Sequence, residues 1–289
     1  MLHLFNHHTH TNFSDGQDSL ENFVRKAVHL NMITLGFSDH APIPMTDLVG
    51  IAPDQLSVYS QRIDELKKQL ENQIQIYKSL EVDYIPGLIS VHNPHIVNAN
   101  LDYTIGAVHY VDGFSDGSFW SFEKSQVIFE QGLEMIFHGD IRQLITRYYT
   151  LIDEMVNDHT PDVVAHLDRI KKWNKNNRYF DESEKWYRCI LMTTLENIAR
   201  KGIILEVNTK GFYKKETEDT YPSRWILEMA NELKIPTHLA SDAHQIDHLR
   251  GGFEFGLKQL QKVGYKRTFV MLDDQWQDSK LLEKRIYIY

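Results

Sequence analysis

The sequence predicts an α/β fold in which parallel strands close into a barrel, and two observations carry that reading. Short runs rich in β-branched and apolar residues alternate about seven times with longer segments of helical period. An imidazole, carboxylate or amide side chain ends each short run, the position at which barrel enzymes assemble their active sites. An open doubly wound sheet is the alternative that the same alternation allows. A length of 289 residues suits one barrel of about 250 residues or two domains of about 150 residues. Neither a linker nor an internal repeat divides the chain, so residues 1–289 are read as a single domain.

Taken in order, residues 2–7 form the first strand candidate. A helix follows Asp18-Ser19-Leu20-Glu21, where Asp18 with Glu21 reads as a capping box. Residues 33–38 are the second strand. Over residues 54–71 the apolar positions Leu56, Tyr59, Ile63, Leu66 and Leu70 step by three and four, the stripe of an amphipathic helix. Residues 74–82 and 101–108 supply the third and fourth strands, and residues 128–155 read as helical with a break at His138-Gly139. Residues 162–165, 203–207 and 237–241 complete the seven strands. Helices near residues 183–201, 223–234 and 253–263 separate or follow them, and residues 268–272 form a last short strand. The polar stretch 171–185, with three Asn among Trp173, Tyr179 and Phe180, reads as a long ordered loop.

Composition excludes several classes. With 14 Phe, 14 Tyr and 5 Trp the chain carries too much apolar surface for a disordered polymer. Cys189 is the single cysteine, and the first residues lack the basic and apolar segments of a secretory signal, so a reducing cytoplasm is expected. No stretch of about 20 apolar residues could cross a bilayer. The net charge is −9 and the basic residues are dispersed, which disfavours extended nucleic acid. A small phosphorylated substrate remains compatible, because bound cations reverse the local field. Oligomeric state has no signature here.

The chemistry lies at the strand ends. His8 and His10 end the first run, Asp39-His40 the second, Glu81 and Asp83 the third, and His109 the fourth. His166 follows the fifth, Glu206 and Asn208 lie at the sixth, and Asp242 with His244 closes the seventh. Two histidines at i and i+2 of an extended strand share a face, so His8 and His10 can grip one ion, and Asp242 with His244 repeats the spacing. Any one such residue could be a simple turn or capping residue; together they converge on the mouth of one barrel. His3, His29, His92, His95, His159, His238 and His248 lack this placement and are assigned to packing or surface. Imidazoles and carboxylates without thiolate suit zinc, manganese or iron. The candidate ligands exceed one ion's needs, which points to two or three metals.

At these residues the chain resembles the polymerase-and-histidinol-phosphatase family. The resemblance rests on His8-Thr9-His10-Thr11 with Ser14-Asp15-Gly16, Gly36-Phe37-Ser38-Asp39-His40, Glu81-Val82-Asp83, Gly106-Ala107-Val108-His109, Ala165-His166 and Ser241-Asp242-Ala243-His244. It covers the whole chain in the right order. The stretches around His109, His138-Gly139-Asp140 and Leu205-Glu206-Val207-Asn208-Thr209 are similar to the histidinol-phosphatase branch, which acts on L-histidinol phosphate in histidine biosynthesis. The resemblance implies a distorted (β/α)7 TIM-like barrel with a trinuclear metal centre. It implies one ion on His8, His10, Glu81 and Asp242, a second on Glu81, His109 and His166, and a third on Asp15, His40 and His244. The family often has Asp where this chain has Asn6, a departure expected to matter little.

Metal-activated water would then attack phosphorus, and the chain indeed lacks a Gly-x-Ser-x-Gly elbow and a phosphate-cradling Gly-rich loop. Asp15, His138 and His244 are candidates to protonate the leaving alcohol. Arg142, Arg169, Arg224 and Arg250 are candidates to hold phosphate, and Asp112 or Asp140 to meet the substrate's ammonium or imidazole. The rival substrates are nucleoside monophosphates or short oligonucleotides, against which the aromatic and acidic segment between His109 and Asp162 favours a shaped small-molecule site. A barrel amidohydrolase would carry a bridging Lys where this chain has Ala107-Val108-His109. A catalytically inert metal-binding module is disfavoured by the presence of all nine ligand types, and 289 residues leave no room for a polymerase. Because Glu81 would serve two ions, Glu81→Gln is expected to lower the metal content of purified protein together with turnover; unchanged stoichiometry and rate would remove Glu81 from the site.

Overall fold

The computed structural model describes residues 5–44, 49–282 and 285–287, so His3 and the start of the first strand candidate lie outside the described residues. Seven parallel strands lie side by side in one sheet: β1 (Phe5–Asn6), β2 (Thr34–Phe37), β3 (Gln75–Asp83), β4 (Tyr103–Ala107), β7 (Val163–Val164), β8 (Ile204–Asn208) and β9 (Thr237–Ala240). An antiparallel hairpin, β5 (Tyr110–Gly113) with β6 (Phe119–Ser121), is inserted after β4. The helices are α1 (Leu20–His29), α2 (Leu56–Leu70), α3 (Pro94–Val97), α4 (Gln126–Phe137), α5 (Ile141–Asp158), α6 (Lys185–Lys201), α7 (Lys210–Tyr213), α8 (Arg224–Glu232) and α9 (Phe253–Lys262). A C-terminal antiparallel sheet, β10 (Arg267–Leu272), β11 (Gln275–Leu282) and β12 (Arg285–Tyr287), is larger than the single short strand expected there.

The sheet closes almost completely. Thr9 and Ala243 form a parallel bridge between the segments that follow β1 and β9, with His10 N donating to Ala243 O at 2.8 Å and Ala243 N to His8 O at 3.2 Å. Below that bridge the seam is stitched by the buried Asn6 amide. Its Nδ2 donates to Ser241 Oγ at 2.7 Å and to Leu249 O at 3.2 Å, while Oδ1 accepts from His8 N at 3.2 Å and Ser241 N at 3.4 Å. Asn6, expected to matter little as a departure from Asp, is not among the clustered donor atoms, and its amide donates to the Leu249 carbonyl, which an ionised aspartate could not do.

Along β3, period-two alternation separates inside from outside. Tyr77 joins Tyr103, Ile105, Ala107, Val163, Ala165, Ile204 and Met271 in the barrel interior, whereas Ile76, Leu80 and Val82 pack outward with α1 and α2. Gly36 permits the interior packing, since a Cβ there would lie 2.1 Å from the Tyr103 hydroxyl. The α2 stripe buries Leu56, Tyr59, Ile63 and Leu66 as its spacing requires. At α1 the expected capping box is replaced: Ser19 caps Asn22 N, Asp18 instead accepts from Ile246 N at 3.0 Å, and Glu21 pairs with Arg62. The expected break between α4 and α5 is present, with His138 in the left-handed conformation and Asp140 capping the next helix through Gln143 N.

The hairpin β10–β11 covers the barrel floor, where the rings of His7, His238, Trp276 and Tyr103 meet at centroid distances of 5.0–6.1 Å. Burial pushes the His238 imidazole down to about 4, although its Nδ1 donates to Phe269 O at 2.8 Å. The unfolded chain, with an ordinary imidazole near 6.5, therefore takes up a proton first as pH falls, so this group's contribution to stability declines from about pH 6.5 towards pH 4. Urea midpoints are expected to fall between pH 7 and pH 5 by an amount worth about 2 kcal/mol from this group, and less so in His238→Gln; an identical decline in the variant would exclude His238 as its source.

Candidate metal centre and substrate pocket

The strand ends bring their polar side chains together in four overlapping groups, His10 with Asp15, His40 and His244, His8 with His10 and Asp242, His40 with Asp83 and His109, and Glu81 with His109 and His166, and the distances around Glu81 and Asp15 divide these into three sets. In the first, His8 Nε2 and His10 Nε2 lie 3.0 Å apart, each 3.4 Å from Glu81 Oε2, and Asp242 Oδ1 lies 3.9 and 3.4 Å from them. In the second, Glu81 Oε1 is 2.9 Å from His166 Nε2 and 3.6 Å from His109 Nε2, and these two nitrogens are 3.2 Å apart. In the third, Asp15 Oδ2 is 3.0 Å from His244 Nε2 and 3.8 Å from His40 Nε2. His40 Nδ1 also lies 3.2 Å from Glu81 Oε2, so that carboxylate touches all three sets.

These separations match donor atoms around a shared ion. Bonds of about 2.1 Å in a tetrahedron put neighbouring ligand atoms about 3.4 Å apart. Two imidazole nitrogens facing each other at 3.0 or 3.2 Å can share one proton or hold one ion between them, and in each pair one Nε2 is fixed as the lone-pair partner. His8 Nδ1 donates to Glu206 Oε1 at 2.5 Å and His109 Nδ1 to Asp83 Oδ1 at 2.8 Å, which turns both Nε2 lone pairs towards the centre. Glu206 also accepts from His166 N at 2.9 Å and Asn208 Nδ2 at 3.0 Å. The residues present thus fit divalent cations.

Electrostatics agrees. Burial opposes ionisation of Glu81 and Asp242, yet His8, His40 and His109 around the first, and Lys210, His8 and His10 around the second, hold both carboxyls well below the ordinary range. The loop carrying Asp15 is anchored by buried Asp39, which accepts from Thr11 N at 2.7 Å and Ser14 Oγ at 2.6 Å. Gly16 lets that loop fold back, for a Cβ there would meet the His10 carbonyl oxygen at 2.1 Å.

Above the clusters opens a cavity of about 550 Å³. Arg169, Lys172 and Lys210 line one side. Arg169 Nε donates to Glu123 Oε2 and Nη1 to Glu216 Oε2, both at 2.6 Å, and its guanidinium lies 5.0 Å from the Tyr221 ring. Lys210 Nζ is 3.1 Å from Asp242 Oδ1 and 3.2 Å from His244 Nε2.

Of the arginines proposed from sequence, only Arg169 lines this cavity. Arg142 is exposed and covers the Trp186 ring, Arg224 is exposed beside Glu228, and Arg250 lines a separate groove with Lys26 and Lys258. His138 is an exposed helix cap outside the cavity. Asp112 pairs with Arg147 at 2.9 Å and Asp140 caps α5, so neither meets the pocket. Sequence reasoning missed Glu123, Lys172, Lys210 and Glu216. Lys210, two residues beyond Asn208 at a strand end, was the one with a positional signal.

A family model described as the PHP domain matches residues 6–210. The histidinol-phosphatase of Bacillus subtilis is 26% identical over 272 residues, covering 87% of this chain and 97% of the relative. Among solved structures, a candidate histidinol phosphatase from Listeria monocytogenes superimposes with a TM-score of 0.74 at 22% identity, over 87% of this chain and 99% of that one. The histidinol phosphate phosphatase of Lactococcus lactis, complexed with zinc, L-histidinol and phosphate, gives 0.64 at 18% identity, over 96% of this chain and 100% of that one. Both likenesses are of fold, a distorted TIM-like barrel. Since Glu206 orients His8 by accepting its Nδ1–H hydrogen bond, Glu206→Gln is expected to weaken metal binding about 10–100-fold in chelator competition; unaltered affinity would show that His8 is oriented without it.

Proposed function

The chain belongs to the PHP-domain family, and from that premise we propose that it is a metal-dependent phosphomonoesterase that hydrolyses L-histidinol phosphate to L-histidinol and phosphate. The observation that carries the reading is the sharing of Glu81 among ligand clusters beneath a pocket lined by Arg169, Lys172 and Lys210. The names of the relatives, and the zinc, histidinol and phosphate of the Lactococcus lactis structure, support the substrate. A cytoplasmic place in histidine biosynthesis is part of the same reading; no helix among the described residues is long and apolar enough to cross a membrane.

His8, His10, Glu81 and Asp242 would hold one ion, Glu81, His109 and His166 a second, and Asp15, His40 and His244 a third. When bound, two or three ions of zinc, manganese or iron supply activated water and offset the charge that develops on the phosphoryl oxygens. The chain's own residues do the rest. Glu206 and Asp83 keep His8 and His109 in one tautomer. Glu123 and Glu216 take two of the five N–H donors of Arg169 and fix its plane, leaving the others for a phosphate dianion that Lys172 and Lys210 also attract. Hydrolysis breaks the bond from phosphorus to the alcohol oxygen, which must gain a proton. With two ions bound and the third position free, the Asp15–His244 pair, which lines the pocket, is assigned that task in place of His138, which lies outside the cavity.

Protein of measured metal content, reconstituted with zinc, manganese or iron, is expected to release phosphate from L-histidinol phosphate with a kcat/KM well above that for a nucleoside monophosphate. A fully metallated protein that preferred the nucleotide would overturn the substrate while leaving the metal centre intact.

A further inference from the structure

A second ionic cluster is buried beside the substrate pocket without lining it. Asp168, Lys171 and Ser223 are all buried, and none of them contributes to the cavity surface. Lys171 Nζ donates to Asp168 Oδ2 at 2.7 Å and to Ser223 Oγ, and Glu182 Oε2 stands 3.6 Å away. Asp168 Oδ2 also accepts from Ser223 N at 3.0 Å. The cluster therefore ties the turn that follows β7 to the residue that precedes α8.

A buried ammonium is costly unless it is paired. This one sits in a segment that carries two site residues: His166 meets Glu81, and Arg169 lines the cavity. Arg169 N donates to His166 O at 2.8 Å and Lys171 N to Asp168 O at 3.1 Å, which winds the segment into a single tight turn. Within it Asp168 and Lys171 point to Ser223, while Arg169 between them points to Glu123 and Glu216. The two cations share one aromatic ring. The Arg169 guanidinium lies 5.0 Å and Lys171 Nζ 5.9 Å from the centroid of Tyr221, which is itself fully buried. Its backbone is fastened to the end of β8, Asn208 N donating to Tyr221 O at 2.7 Å and Tyr221 N to Asn208 O at 2.9 Å.

Resting on the reading of Arg169 as the guanidinium that holds phosphate, we propose that Asp168, Lys171 and Ser223 are positioning residues that set the place of Arg169 and, through it, the affinity for the phosphoryl group. Glu123 and Glu216 hold the outer end of that side chain. The buried cluster holds its two supports, the backbone turn from which it springs and the Tyr221 ring on which it lies. A planar fork that must meet a phosphate dianion with parallel hydrogen bonds loses contact when its base shifts, so the cluster acts on binding without touching the substrate.

Loss of the ammonium leaves Asp168 buried and unpaired, which lowers stability whatever the cluster does, so the test reads phosphate affinity through Arg169. Zinc-reconstituted wild type, Arg169→Met, Lys171→Met and the Arg169→Met/Lys171→Met double variant are titrated calorimetrically with inorganic phosphate, and the metal content of each is measured. Lys171→Met is expected to weaken phosphate binding about tenfold when Arg169 is present and about twofold or less when it is absent, with metal content unchanged. Equal losses in both backgrounds would overturn the proposal, and so would a fall in metal content, which would place the effect at His166. Ser223→Ala keeps the ion pair and serves if Lys171→Met does not fold; its effect on phosphate affinity is expected to require Arg169 in the same way, and an effect independent of Arg169, or none, would overturn the proposal. If Arg169→Met binds phosphate as wild type does, the reading of Arg169 fails. If Arg169→Met weakens binding and Lys171→Met does not, the positioning role fails alone.

Discussion

A single buried carboxylate organises this molecule. Glu81 is almost without solvent contact, and imidazoles lie 2.9–3.6 Å from its two oxygens: His8 and His10 from the end of β1, His40 after β2, His109 after β4 and His166 after β7. A lone ionised carboxylate is too costly in an interior of low polarity, so it must be surrounded by compensating donors or cations. Neighbours drawn from so many elements are available only where several strands end around a common axis. The closed barrel is the arrangement that meets this need, and the short strands of two to nine residues are long enough to deliver it.

Closure and ligand placement are one event. The two residues whose backbones bridge the seam, Thr9 and Ala243, are the middle residues of His8-Thr9-His10 and Asp242-Ala243-His244. At the seam the backbone of Ala243 donates to His8 O and accepts from His10 N, while the side chains of His8, His10, Asp242 and His244 turn towards the centre. A cation held by both triplets would pull the seam shut, and a seam that opened would take ligands away, which would couple metal binding to folding. Asn6 below the bridge and the C-terminal hairpin at the floor fix the same two edges from the other end.

This explains what could be read from sequence. The alternation of strand and helix, and the fall of ligand-type residues at strand ends, are local patterns, and the structure gathers His8, His10, Asp15, His40, Glu81, His109, His166, Asp242 and His244 at one mouth. Glu206 and Asp83 were visible at strand ends too, but their work of orienting an imidazole depends on which nitrogen faces which oxygen, which no spacing encodes. Arg142, Arg224 and Arg250 look equivalent to Arg169 along the chain; only the packing of Arg169 on Tyr221 between Glu123 and Glu216 distinguishes it. The capping role passed from Asp18 to Ser19 because Asp18 had a tertiary donor, Ile246 N, some 228 residues away.

The inserted hairpin is not an independent attachment. Glu123, just past β6, reaches Arg169 after β7 with one oxygen and stands 3.4 Å from His109 Nε2 with the other. Glu216, beyond β8, holds the opposite side of the same guanidinium. The segment that lines the pocket thus also helps to fix Arg169. Displacing the hairpin would shift its pocket-lining side chains, Arg169 and the surroundings of His109 together, because the buried ion pair cannot be broken without leaving charge uncompensated. Pocket lining and ligand clusters are therefore joined through Glu123 and Arg169: a change in the hairpin that moved Glu123 would reach Arg169 and His109 as well, while the pocket-lining side chains before it could vary without that cost.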